Sequence, residues 1–410
     1  MPVTRRRVLG ATALGAALPF AARPARAQSP TVKIGVLNDQ SGPYRDTTGI
    51  GSFVCAKQGA EEFGNGHGFA VEVVTADHQN KPDVGAAIVR RWFDLDGVDV
   101  VLDVPTSSVA LAIASITREK NKVFINSGGG TADLTGTQCT PNTVHWTYDT
   151  YMLARSTATQ LVKLGGDKWF FVTADYVFGQ QLERDAAAFV KSSGGKVLGR
   201  SAYPFPSTTD FSSYLIQAQA SGADVVGIAA AGGDAVNVVK QAHEFGLTSK
   251  MRLASLLVQP ADIEAMGLEL AKGLYMTSSF YWDLNDGARA FTRRVQDKMP
   301  GKMPPNMIHA GCYAGTLHYL KAVAALGAAK AKADGAAVVA QMKATPTQDD
   351  AFGSGSIRAD GRGMFPAYLL EVKSPAESKG RFDTLKLAAT TPADQAWRPL
   401  SEGGCPLVKA

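Results

Sequence analysis

Short runs of β-branched and apolar residues alternate along the chain with longer segments whose apolar positions recur every three to four residues. This alternation is typical of parallel strands connected by helices. The first series predicts strands over Val32–Asn38, Ala70–Ala76, Val98–Asp103 and Lys122–Asn126, with helices over Gly51–Phe63, Asp83–Asp94 and Ser108–Lys120.

The alternation starts again after a predicted helix over Tyr151–Leu164. Its strands are expected over Trp169–Thr173, Lys196–Ser201, Asp224–Ala230 and Arg252–Leu257, and its helices over Gln180–Ser193, Phe211–Ser221, Asp234–Glu244 and Gln259–Met266. The pattern therefore predicts an α/β protein with two doubly wound, Rossmann-like lobes in succession. The chain is long enough for two hydrophobic cores.

The second series of strands and helices already suffices for a lobe, and a further long segment follows it. It predicts a strand over Gly273–Thr277 and helices over Ala288–Lys298 and His309–Ala325. We expect this segment to return to the first lobe, so that two or more chain crossings act as hinges. Farther on, the stretches SIRADGRG and AYLLEVK predict a small β-hairpin with Asp360-Gly361 as its turn.

Residues 1–27 have the features of an export signal. Three arginines, Arg5 to Arg7, precede the apolar run from Val8 to Ala22, and Ala25-Arg26-Ala27 forms a cleavage site of small residues. The first residues also fit a twin-arginine signal, and the apolar run is too short for a membrane span. Cleavage near Ala27 predicts a periplasmic chain of 410 − 27 = 383 residues.

The formal net charge of +5 does not indicate a nucleic-acid partner. The signal contains five arginines and no acidic residue, so the mature chain has a net charge of 5 − 5 = 0.

The four cysteines would meet an oxidising compartment, where disulfides form. Cys55 and Cys312 lie in apolar helical patterns and are expected to be buried thiols. Cys139 and Cys405 lie in polar loops flanked by Pro and Gly and form the predicted pair, although the sequence alone leaves other pairings open.

Two turns rich in small residues follow neighbouring predicted strands. Thr106–Ser108 begins a predicted helix, where unpaired N–H groups and the positive end of the helix dipole favour an anion. Gly128–Gly130 repeats the arrangement one strand later, with glycines that would let a ligand approach the backbone closely. Because ligands of open α/β sheets bind at such strand ends, the two turns predict a carboxylate-binding corner. The alternative is an ordinary pair of strand-to-helix connections.

An ordered set of stretches resembles the periplasmic substrate-binding proteins of ABC importers, in the branched-chain amino acid-binding family. After the export signal the set comprises VKIGVLNDQSGPY, the Thr-Ser-Ser turn, INSGGGTADLT, DYVFG, GGDAVNVVKQAHEFG and GLYMTSSFYW. The resemblance covers nearly all of Thr31 to about Lys373. It implies a type I clamshell that closes on a small solute and presents it to a membrane permease.

This architecture implies two discontinuous lobes. Lobe I would comprise residues 28–147 and 274–345. Lobe II would comprise residues 148–273 and 346–410, including the hairpin and the C-terminal tail.

In the amino acid-binding members of the family, the two turns of the first lobe hold the ligand carboxylate. By position, this role falls on Ser107, Ser108, Gly128, Gly129, Gly130 and Thr131, with Thr106 as a further candidate contact. The same members hold the ammonium group with a glutamate just after the strand expected here over Arg252–Leu257, where this chain has Leu256 and Leu257 instead. A buried cation without a counter-charge is costly, so an α-amino acid is a poorer candidate than a carboxylate with an apolar body.

Aromatic residues crowd the other segments expected to face the cleft. Tyr44, Tyr176 and Phe178 each follow a strand end and are the preferred contacts for a flat ligand. Tyr148 and Tyr281 are further candidates, as is Leu257. The alternative is that many of these aromatic residues only pack lobe surfaces or hinges.

Asp234 follows Gly232-Gly233 and is best explained as a helix cap, with ligand contact as the alternative. The histidines and cysteines show no metal-ligand spacing, and the glycines do not match a dinucleotide fingerprint, so neither a cofactor nor an enzymatic activity is expected.

The predicted function is the periplasmic capture of a small aromatic carboxylate, of benzoate or phenylpropenoate type, by a monomer that delivers it to an ABC permease. Two alternatives stay open. One is a hydrophobic or branched-chain amino acid whose ammonium is held by Asp234, and the other is a ligand-sensing clamshell.

Overall fold

The computed structural model describes residues 29–408. The predicted export signal, residues 1–27, lies outside the described residues. Within them, no helix combines the length and the apolar character needed to cross a bilayer.

The first lobe is built on a five-stranded parallel sheet. Its strands and helices are β1 (Thr31–Asn38), α1 (Gly49–Phe63), β2 (Ala70–Asp77), α2 (Pro82–Arg91), β3 (Val100–Asp103), α3 (Ser107–Glu119), β4 (Val123–Asn126) and β5 (Thr143–His145). The strand order is β2-β1-β3-β4-β5. The central strands β3 and β4 are buried along their whole length, as expected for a parallel sheet covered by helices on both faces.

The second lobe repeats this design with four parallel strands. Its elements are α4 (Thr150–Lys163), β6 (Lys168–Ala174), α5 (Val177–Ser192), β7 (Lys196–Tyr203), α6 (Ser212–Ala220), β8 (Val225–Ala229), α7 (Gly232–Glu244), β9 (Arg252–Ser255), α8 (Pro260–Met266) and α9 (Leu268–Ala271). The strand order is β7-β6-β8-β9. The predicted architecture of two doubly wound lobes is therefore confirmed.

The rest of the chain moves between the lobes. It forms β10 (Tyr275–Ser278), α10 (Asp286–Val295), α11 (Met307–Leu326), α12 (Ala328–Ala333), α13 (Gly335–Ala344), β11 (Thr347–Asp349), β12 (Gly353–Ile357), β13 (Gly363–Met364), β14 (Ala367–Val372), β15 (Leu385–Thr391) and α14 (Ala393–Ala396). Helix α11 packs on α1 of the first lobe. Strands β10, β14 and β15 form an antiparallel sheet whose apolar residues join the core of the second lobe. The lobe boundaries given above stay a prediction.

The predicted hairpin is partly wrong. The turn at Asp360-Gly361 forms, with Gly361 at φ 88°, but it joins β12 to the short strand β13. The stretch AYLLEV becomes β14 and pairs with β10 and β15 instead. Its alternating apolar residues complete the core of the second lobe, which a two-stranded hairpin could not do.

The C-terminal tail links the second lobe to the first. It leaves β15 and reaches a disulfide between Cys405 and Cys139. On the way, the buried Trp397 packs against the Arg362 guanidinium, 4.1 Å from the ring centroid, and donates from Nε1 to the Phe365 carbonyl (2.9 Å). Cys55 and Cys312 are buried free thiols.

Candidate functional site

A cavity lies between the two lobes. The first lobe and the first crossing contribute Tyr44, Thr47, Thr48, Pro105, Tyr148 and Ile308. The second lobe contributes Tyr176, Phe178, Ala231, Gly232, Leu257, Gln259 and Asp262. The wall is largely apolar and aromatic with a few polar groups, which is typical of small-molecule sites.

Five helices of ten or more residues begin at the cavity wall. Thr48, Tyr176 and Ala231 are the N-caps of α1, α5 and α7. Pro105 precedes the N-cap of α3, and Ile308 lies in the first turn of α11. The N–H groups in the first turn of each helix have no partner within the helix, and the helix dipole places a partial positive charge at the same end. The lining contains no Lys, Arg or His, so these helix starts are its source of positive potential.

Stacked aromatic rings close the cavity between the lobes. The hydroxyls of Tyr44 and Tyr176 are 2.5 Å apart and join the two lobes directly. Phe205 stacks on Tyr176 with ring centroids 4.2 Å apart and on Tyr44 at 5.7 Å. Burial raises the pKa of both tyrosines above the ordinary value, so both stay neutral hydrogen-bonding groups at physiological pH. A planar ligand would meet flat apolar surfaces and phenolic hydroxyls here.

The close approach of the lobes depends on Gly232. This residue has φ 56°, and a side chain on it would place its Cβ 2.5 Å from the Pro43 carbonyl oxygen. The next residue, Gly233, donates its N–H to the same carbonyl at 3.1 Å. Only glycine combines this backbone conformation with such a contact.

The Thr106–Ser108 turn follows Pro105, but none of its three residues lines the cavity itself. Thr106 is the N-cap of α3, but its hydroxyl donates to Asn80 Oδ1 and does not cap the helix. Ser107 is fully buried, and its hydroxyl has no hydrogen-bond partner among the described residues. Ser108 is half-buried. The turn therefore keeps a free hydroxyl and the free N–H groups of the first turn of α3.

The backbone leading into this turn is strained. Asp103 and Val104 have φ angles of 79° and 60°, a conformation that L-residues rarely adopt. The Asp103 carboxylate is buried and accepts from Asn38 Nδ2 at 3.0 Å, and burial raises its pKa to about 7. Asp103 and Val104 thus immediately precede Pro105, which lines the cavity.

The Gly128–Gly130 turn does not line the cavity. All three of its carbonyls are bonded, to the Tyr148 hydroxyl (2.5 Å), Asn126 Nδ2 (2.6 Å) and the Thr150 N–H (2.9 Å). The Gly128 and Gly129 N–H groups donate to the Asp103 carbonyl and Asn126 Oδ1. The turn thus offers a ligand at most the N–H of Gly130. Protein groups occupy the space beside these glycines, and the ligand contact expected of them stays a prediction.

The second-lobe wall carries two polar residues that the sequence did not single out. Gln259 is 2% exposed, and neither atom of its side-chain amide has a hydrogen-bond partner among the described residues. Asp262 is 4% exposed and accepts from the Gln259 N–H at 2.8 Å. Burial raises the pKa of Asp262 to about 7. The Pro-Ala-Asp start of α8 is a weak sequence signal, because it also fits an ordinary helix cap.

Five predicted ligand contacts line the cavity, namely Tyr44, Tyr148, Tyr176, Phe178 and Leu257. Tyr281 does not, because it is packed into the second lobe with its hydroxyl toward the Leu385 carbonyl. Asp234 lies in an outer groove between the lobes, shared with Arg45 and Asp46. Burial raises its pKa to about 6, and its Oδ2 has no partner among the described residues.

Residues 31–381 match the family described as periplasmic binding protein. The chain belongs to the periplasmic binding protein family. A periplasmic binding protein from Burkholderia mallei is 44% identical, with a TM-score of 0.88 over 92% of this chain and 99% of that chain. The Leu/Ile/Val-binding protein homolog 6 of Brucella melitensis biotype 1 is 25% identical over 81% of this chain and 85% of its own length.

A solute-binding protein of an ABC transporter from R. palustris, solved in complex with benzoate, shares the fold of this periplasmic binding protein. It is 21% identical, with a TM-score of 0.80 over 92% of this chain and 99% of that chain. The predicted type I fold and family are confirmed. Proteins of this family and fold are periplasmic substrate-binding components of ABC transporters rather than enzymes.

Proposed function

We propose that this periplasmic binding protein captures a small aromatic carboxylate, of benzoate or phenylpropenoate type, and delivers it to an ABC permease. The observation that carries the proposal is the composition of the cavity wall. Four aromatic rings and the starts of five long helices surround a small space without a basic side chain. Such a wall stabilises a planar anion through stacking and helix dipoles.

In this proposal the ligand carboxylate faces the start of α3. The free Ser107 hydroxyl and the first-turn N–H groups are the proposed donors, with Ser108 and the Gly130 N–H as further candidates. The ring lies against Tyr44, Tyr176 and Phe178. In this proposal Thr106, Gly128 and Gly129 support the turns and do not contact the ligand, because their polar groups are hydrogen-bonded within the protein.

A second candidate is a hydrophobic or branched-chain amino acid, and Asp262 favours it. This buried carboxylate lines the cavity and can balance an ammonium group, whereas Asp234 lies in the outer groove. Asp262 therefore replaces Asp234 as the proposed ammonium ligand. The Leu/Ile/Val-binding homolog from Brucella points in the same direction.

A thermal-shift screen tests the proposal. Exported, ligand-free protein is heated with benzoate, hydroxybenzoates and cinnamates, and in parallel with leucine, isoleucine and valine. A ligand at about 100 times its dissociation constant adds about 2.7 kcal/mol to the free energy of unfolding. We expect stabilisation by at least one aromatic acid. Stabilisation by the aliphatic amino acids alone would replace the proposal with the second candidate.

The variant Asp262→Asn separates the candidates further. It should retain or increase affinity for an aromatic acid, because it removes a like charge from the cavity. It should strongly weaken binding of an amino acid, because the ammonium loses its counter-charge. Asp83→Asn is the matched control, since Asp83 is an exposed acid at the Pro-Asp start of α2.

The proposal includes export with cleavage near Ala27 and function as a monomer. Intact mass spectrometry of periplasmic protein should give a chain that begins near Gln28. If the protein were instead recovered from the cytoplasm with Met1 still present, the export step would be contradicted.

A further inference from the structure

Gln259 presents two unused hydrogen-bonding atoms to the cavity between the lobes. The residue is almost completely buried, lines the cavity, and has no partner for either its amide nitrogen or its amide oxygen among the described residues. Buried polar side chains are nearly always hydrogen-bonded, and an unpaired one destabilises the fold. A buried amide free at both atoms therefore indicates a partner that arrives from the cavity.

The start of α8 lies beside this amide. Gln259 is the N-cap and stands in a capping-box arrangement with Asp262, but the Asp262 N–H donates to the Gln259 backbone carbonyl at 2.9 Å and no side-chain hydrogen bond caps the helix. The Asp262 carboxylate in turn accepts from the Gln259 backbone N–H at 2.8 Å. The helix start is thus satisfied by backbone groups and by Asp262, which leaves the Gln259 side chain for another role.

The chemistry of the partner follows from the amide. It offers one acceptor and two N–H donors, so its complement is a group that both donates and accepts. A hydroxyl on the ligand ring has this property, whereas an ammonium group only donates and a ring C–H does neither. Gln259 belongs to the second lobe and the start of α3 to the first. A ring that spans the cavity would carry its carboxylate and its hydroxyl at opposite ends.

We infer that Gln259 is a specificity-determining residue that selects aromatic acids with a ring hydroxyl opposite the carboxylate. This inference rests on the proposed function, since it names the substituent of the same ligand. It predicts that 4-hydroxybenzoate binds at least about tenfold more tightly than benzoate, because benzoate leaves the buried amide unpaired.

Isothermal titration calorimetry with benzoate and 4-hydroxybenzoate tests the inference. The variants are Gln259→Met, which keeps the side-chain length without the amide, and Gln217→Met, an exposed control on α6. Gln259→Met should lower the affinity for 4-hydroxybenzoate about tenfold or more and leave that for benzoate nearly unchanged. Gln217→Met should change neither.

A ligand-free melting curve distinguishes specificity from structural support. Because the Gln259 amide has no hydrogen-bond partner in the described part of the chain, Gln259→Met should melt at the same temperature as the wild type or higher. The inference would be overturned if the wild type bound the two acids with equal affinity, or if Gln259→Met lost the same affinity for both. In either case the proposed function would still stand. Failure of both acids to bind the wild type would overturn the proposed function, and the inference with it.

Discussion

Two turns of the first lobe look alike in sequence and differ in the structure. Thr106–Ser108 and Gly128–Gly130 both follow a parallel strand and consist of small residues. Among residues 29–408 the first keeps the buried Ser107 hydroxyl without a hydrogen-bond partner at the start of a 13-residue helix. The second has nearly all its polar backbone groups bonded within the protein. We therefore propose ligand binding for the first turn, whereas the second serves protein packing.

The Gly128–Gly130 turn also packs against Asp103 and Pro105, which lead into the Thr106–Ser108 turn. A Cβ added at Gly128 would lie 2.5 Å from Asp103 Oδ1 and 2.7 Å from the Pro105 Cα. Pro105 lines the cavity and immediately precedes the start of α3. The absence of a side chain at Gly128 thus sets the position of the groups that we assign to the ligand carboxylate.

The largest expected effect comes from Gly128→Ala. The new methyl group meets backbone atoms that cannot move aside, so we expect a loss of about 3 kcal/mol of stability together with a large loss of affinity. Thermal denaturation and calorimetry measure the two effects. Gly380→Ala is the control, since a Cβ there meets nothing within 4 Å. Unchanged stability of Gly128→Ala would show that the turn is not packed as described.

Ser107→Ala should separate binding from stability. The hydroxyl has no partner within residues 29–408, so its removal should leave the melting temperature of the ligand-free protein unchanged or raised. Loss of a hydrogen bond to a carboxylate should weaken aromatic-acid binding by about 1.5 kcal/mol, or roughly tenfold. Ser213→Ala, an exposed serine in the first turn of α6, serves as the control. Unchanged affinity would remove Ser107 from the site.

The smallest expected effect is a pH dependence from the opposite wall. Burial raises the pKa of Asp262 to about 7, so the carboxyl gains a proton as the pH falls through this value. Protonation removes a negative charge beside the ligand. Affinity for an aromatic carboxylate should therefore rise about threefold from pH 7.5 to 6.5, since the protonated fraction rises by that factor. An amino acid would show the opposite sign, and Asp262→Asn should abolish either slope.

The same pKa shift has a consequence for folding. The pKa of Asp262 is higher in the folded state than the ordinary value of 3.8, so the folded state binds the proton more tightly. This group therefore lowers stability above pH 7, and the penalty disappears as the pH falls from about 7 toward 4. Ligand-free melting curves of the wild type and Asp262→Asn should converge over that window.

The sequence predicted the lobes well because buried parallel strands and amphipathic helices leave strong periodic patterns. Val225–Ala229 and Val123–Ile125, for example, are continuous apolar runs in sequence and lie in fully buried strands in the structure. The antiparallel pairing of β14 was missed because strand partners far apart in sequence leave no local signal.

The site was predicted less completely than the fold. Tyr44, Tyr176 and Phe178 could be found because aromatic residues after strand ends are conspicuous, and all three line the cavity. Gln259 and Asp262 could not be separated from ordinary helix-capping residues. Their importance depends on burial and on the atoms left without partners, which only the folded arrangement defines.

A crystal structure of the exported protein with 4-hydroxybenzoate would show which groups hold the ligand. We expect the carboxylate within hydrogen-bond distance of Ser107 Oγ at the start of α3, and the ring against Tyr44 and Tyr176. Electron density for an aliphatic amino acid instead, with its ammonium on Asp262, would contradict the assignment of an aromatic carboxylate.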